Sequence, residues 1–106
     1  MNNLNVQEAI NRIVDQIVEK YNPTKIILFG SAAQNQTDEI NDVDFMIIKE
    51  EVPHYGVDRI RELYTLIESD IAVDYLVYKP DEIEKLTSLG DPFIKEIVGK
   101  GKILYG

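Results

Sequence analysis

Apolar residues recur in the first fifth of the chain at Val6, Ala9, Ile10, Ile13, Val14, Ile17, Val18 and Tyr21. That spacing places them on one side of a helix of about four turns. Asn5 stands where a cap is expected, with Glu8 in the position that completes a capping box. Asn22-Pro23 ends the helix, because the residue before a proline leaves the α region. The apolar stripe is expected to cover one face of a sheet. The period then changes: Thr24 to Phe29 is an apolar run rich in β-branched and aromatic residues, which reads as a buried strand. Gly30-Ser31 turns the chain, and Ala32-Ala33-Gln34 favours a short helix.

A second strand, Asp42 to Ile48, alternates, so that Asp42 and Asp44 share one face while Val43, Phe45 and Ile47 share the other. A polar loop from Lys49 to Gly56 holds Pro53, His54 and Tyr55, and Val57, Ile60, Leu63, Tyr64 and Ile67 then mark a second amphipathic helix. The third strand, Ile71 to Tyr78, is apolar except for Asp74 in its middle. Pro80 suits the first turn of a third helix running to Ser88, with Asp81 and Glu82 near its positive end, although Lys79 is a poor cap. Asp91-Pro92 opens a fourth helix whose Phe93, Ile94, Ile97 and Val98 are expected to face inward, ended by Gly99 or Gly101. Ile103-Leu104-Tyr105 is a short last strand. This order reads as α/β or α+β, one layer of strands under helices.

Composition narrows the options. At 106 residues the chain has the size of one domain, 1–106, and its hydrophobic content of 44% is enough for a modest core. The 19 acidic against 11 basic residues leave a net charge of −8. Such a surface repels a phosphate backbone, so no direct nucleic-acid binding is expected. With no cysteine there are no disulfides or thiolate metal sites. No signal-peptide pattern opens the chain and no apolar run reaches about 18 residues, so a cytoplasmic location away from membranes is the expectation.

The chemistry gathers between Gly30 and Asp44. Carboxylates are depleted in strands and repel when adjacent, so Asp42 and Asp44 call for a cation between them. Magnesium is the natural candidate, because hard cations take carboxylate and phosphate oxygens. If the third strand lies beside the second, Asp74 joins them in a three-carboxylate metal site. Gly30 lets a phosphate approach the backbone, and Ser31 offers a hydroxyl and an amide. Such a cradle beside the metals suggests phosphoryl or nucleotidyl transfer with two ions. Plainer explanations exist for each part: an ordinary turn, a solvated strand end, and a mid-strand Asp paired with Lys or Arg. His54 reads as a loop residue and the six tyrosines as mostly core-facing.

Gly30-Ser31, ten residues, Asp42-Val43-Asp44, then Asp74 in an apolar strand resembles the minimal nucleotidyltransferase family of the DNA polymerase beta superfamily. The likeness extends over nearly the whole chain, including Asp91 to Ile97 and the ending Lys102 to Gly106. It implies a small mixed β-sheet flanked by helices. It also implies a toxin–antitoxin pairing with a helical HEPN-type protein, in which AMP passes from ATP to a tyrosine of that ribonuclease. By the same resemblance Gly30 and Ser31 would hold the triphosphate, Asp42 and Asp44 would bind both magnesium ions, and Asp74 would complete the catalytic metal site and help deprotonate the acceptor. The chain departs from the common pattern after Ser31. Ala32 and Gln34 stand where many relatives carry arginine, and Asn41 where many carry serine. Restoring Arg at position 32 is therefore expected to tighten ATP. The alternatives are a binding module that neutralises its partner by contact, and transfer to a small molecule.

Overall fold

The computed structural model describes residues 3–33 and 42–106, with only the backbone described for 3–5. Eight elements follow one another: α1 (Asn3–Tyr21), β1 (Lys25–Phe29), β2 (Asp42–Ile48), α2 (Gly56–Leu66), β3 (Ala72–Tyr78), α3 (Pro80–Ser88), α4 (Pro92–Lys100) and β4 (Lys102–Tyr105). The strands form one sheet in the order β3-β2-β1-β4. β1 pairs antiparallel with both β2 and β4, whereas β2 and β3 run parallel, so the sheet is mixed. A parallel pair needs a crossover, and α2 supplies it. The small mixed sheet flanked by helices is therefore the fold observed.

The helices cover both faces, not the single face expected. On one face Ile10, Ile13, Ile17 and Tyr21 of α1 and Leu63 of α2 pack on Leu28, Val43, Phe45, Ile47, Val73, Tyr75 and Val77. On the other face Ile94 and Ile97 of α4 pack on Ile27 and Met46, with Ile83 and Leu86 of α3 beside them. β2 is the central strand. Its Phe45, Met46 and Ile47 are buried in succession, the mark of a strand covered on both sides. At its start, among the described residues, no helix covers the second face, and there Asp42 and Asp44 stand.

Several local expectations shift. α1 is under way at Asn3, before Asn5, because a cap preference worth about 1 kcal/mol does not hold back a chain with no proline ahead of it. It ends at Asn22, whose φ of 54° is the left-handed conformation of a helix terminus, and Lys49 Nζ donates to Tyr21 O at 2.7 Å. Ser31 to Ala33 form a turn closed by Ala33 N–H on Gly30 O at 3.2 Å; the short helix expected at Ala32-Ala33-Gln34 runs beyond the described residues, as does Asn41. Glu82 makes up for Lys79 by accepting from its backbone N–H at 2.8 Å, and Asp91 caps α4 by accepting from Ile94 N–H at 3.0 Å. Only Ile94 and Ile97 of α4 face inward. Phe93 and Val98 are exposed, since a two-turn helix against one sheet face buries a single narrow row. Of the tyrosines only Tyr21 and Tyr75 are buried, while Tyr55, Tyr64 and Tyr105 are exposed.

Arg59 is the unexpected member of the interior, 5% exposed on α2. Its Nε donates to Pro53 O at 2.6 Å, Nη1 to Val77 O at 3.1 Å and Nη2 to His54 O at 3.2 Å. Both terminal nitrogens also donate to Glu82, at 2.7 and 3.1 Å. One guanidinium thus ties the loop before α2 to the end of β3 and the start of α3. Arg59→Ala should cost about 3 kcal/mol in urea denaturation, because it strips donors from buried carbonyls and leaves a void. Bonding to Arg59 lowers the Glu82 pKa. The stability it contributes is therefore full above the ordinary glutamate value and lost as pH falls through the lowered one, a loss that should be shallower in Arg59→Ala.

Candidate active site

The register of the two parallel strands decides the geometry. Asp44 of β2 stands directly beside Asp74 of β3, and Asp42 stands beside Ala72. Residues paired across neighbouring strands share a face, so all three carboxylates lie on the face that α4 leaves uncovered. Asp42 and Asp74 are exposed and Asp44 is half-buried. The Asp44 pKa is raised, first by burial and then by the negative charges of Asp74 and Asp42. Among the described residues no lysine or arginine forms an ion pair with any of the three.

The glycine turn meets this group on its other flank. Phe29 pairs with Asp44 across β1 and β2, which brings Gly30 against the same carboxylate. Gly30 has φ +75°, and a Cβ placed there would lie 2.5 Å from Asp44 Oδ2. Only glycine combines that backbone with that proximity. Ser31, next in the turn, is exposed, whereas Ala32 and Ala33 are buried in the larger core.

The structure thus brings together Gly30, Asp42, Asp44 and Asp74, with Ser31 beside them. The donor set suits a hard divalent cation: three carboxylates on one face, with burial first and then the charges of Asp74 and Asp42 raising the Asp44 pKa. Among the described residues no three acidic or imidazole groups are already disposed to hold a metal ion. Tyr64 was not singled out from the sequence. Its hydroxyl donates to Val73 O at 2.6 Å, at the peptide preceding Asp74, and Asp74 and Asp42 add to burial in raising its pKa. A tyrosine at helical spacing signals packing, and nothing in sequence marks this one otherwise.

With this geometry in view, the chain matches the family Polymerase beta, Nucleotidyltransferase over residues 11–106. The chain belongs to the polymerase beta nucleotidyltransferase family. This nucleotidyltransferase is also 27% identical over 104 residues to a Methanocaldococcus jannaschii protein named "Putative protein adenylyltransferase MJ0604", covering 96% of this chain and 100% of the relative. No solved structure matches. No helix among the described residues is long and apolar enough to cross a membrane.

Two outcomes follow from the crowding at Asp44. A carboxyl whose pKa is raised on folding keeps a proton that the unfolded chain has lost, so its charge lowers stability as pH rises through that window. Asp44→Asn should leave the melting temperature in EDTA unchanged or raised at neutral pH, with the difference shrinking in acid. Gly30→Ala should lose about 1–2 kcal/mol from its left-handed backbone and push the Asp44 carboxylate aside. Urea denaturation reads the first effect, and loss of nucleotidyl transfer the second.

Proposed function

We propose that this nucleotidyltransferase moves AMP from ATP to a hydroxyl of a partner protein, a tyrosine of a helical HEPN-type toxin, and so serves as its antitoxin. The observation that carries this reading is the pairing of Asp44 with Asp74 beside the Gly30 turn, in a chain of this family. The name of the archaeal relative supports a protein as acceptor. In this reading Asp42 and Asp44 hold two magnesium ions and Asp74 completes the site. Magnesium would supply the positive charge that lets phosphates approach an acidic protein and stabilises the departing pyrophosphate. Gly30 leaves room for the phosphates, and Ser31 donates to them. Asp74 takes the proton as the acceptor oxygen bonds to the α-phosphorus and the bond to pyrophosphate breaks.

A catalyst and a contact inhibitor both silence a toxic partner, and stoichiometry separates them. Substoichiometric protein with ATP and magnesium should add an AMP mass to the partner, which stays inactive after the enzyme is removed. The Asp42→Ala, Asp44→Ala double variant should add none. Equal rescue by wild type and double variant, with no mass added by either, would instead establish a binding antitoxin.

A further inference from the structure

Phe93 is exposed where the sequence pattern places it in the core, and the surroundings give that exposure a use. It lines a cavity of about 240 Å³ between β1 and α4, together with Phe29, Gly30, Ile97, Glu96 and Lys100. Phe29 and Phe93 meet edge to face, with centroids 5.9 Å apart and planes at 88°. Phe29 thereby braces the Phe93 ring, which is 46% exposed. Bracing matters because an aromatic ring held in one orientation loses little entropy when a second ring stacks on it.

The cavity adjoins the candidate active site. Gly30 belongs to both, and Phe29 pairs with Asp44 across the strands, one strand spacing or about 5 Å away. Its volume falls below the roughly 300 Å³ of pockets that enclose a whole drug-sized ligand. It suits one planar ring system, whose remainder extends toward the carboxylates. Glu96 and Lys100, paired at 3.7 Å and exposed, provide an acceptor and a donor for the edge of such a ring.

We infer that the Phe29–Phe93 cavity receives the base of the nucleoside triphosphate, stacked on Phe93, while the phosphates lie at Gly30 and the carboxylates. This rests on the nucleotidyl-transfer reading and adds the seat of the base. The arrangement makes the base, rather than added positive charge on the phosphates, a principal source of nucleotide affinity in a chain that carries Ala32 and Gln34.

Calorimetric titration with magnesium and two probes tests it: ATP with a methylene group in place of the α,β-bridging oxygen, and inorganic tripolyphosphate, which has no base. Phe93→Ala should weaken the ATP analogue about tenfold, within the range of base–aromatic stacking, and leave tripolyphosphate unchanged. Phe93→Leu, which keeps the apolar bulk and protects the fold, should weaken the analogue likewise, and Phe93→Tyr should retain it. Unchanged analogue affinity in Phe93→Ala, or equal losses for both probes, overturns the inference while wild-type transfer still stands. A raised KM for the protein acceptor with analogue affinity intact assigns the cavity to the acceptor and overturns it too. A wild-type protein that neither binds the analogue nor transfers AMP removes the underlying reading as well.

Discussion

Everything at the carboxylate face depends on the register between β2 and β3. Side chains alternate along a strand, so a slip of one residue would send Asp74 into the larger core and Val73 onto the open face. The burial of Val73, Tyr75 and Val77 on one side forbids that slip, because each would exchange an apolar environment for water. The hydrophobic pattern of β3 thus places a polar group it does not touch. Position 74 tolerates a carboxylate because its face is left open there; Leu76 and Tyr78, further along the same side, are half-buried.

Within this frame the charge of the molecule makes physical sense. Asp44, half-buried between two other carboxylates, is a place where the fold accepts electrostatic cost. Such cost is common where chemistry needs closely spaced like charges. Elsewhere the same repulsion is avoided: Glu82, also acidic, is matched by the full fork of Arg59. The contrast separates an acid that holds the structure from acids that the structure holds ready.

Much of this was legible before any coordinates. The period of α1, the alternation of Asp42 and Asp44, the anomaly of Asp74 and the cap at Asp91 are local signals, and each element formed near its expected place. What sequence could not display depends on partners distant in the chain. Arg59 is buried only because carbonyls of Pro53, His54 and Val77 and the carboxylate of Glu82 converge on it. Phe93 is as apolar as Ile94, but only one row of so short a helix can reach the sheet. The burial of Ala32 follows from the path of the turn, which no local pattern displays.

The two interiors on either side of the sheet are of unequal size. Among the described residues sixteen buried side chains gather on the face of α1 and α2, and four on the face of α4. Resistance to unfolding and chemical work are therefore divided between opposite sides of one layer of strands. Most of the apolar burial lies behind the carboxylates rather than beside them. A scaffold divided in this way can try new acceptors or bases on its thin side while the thick side keeps it folded.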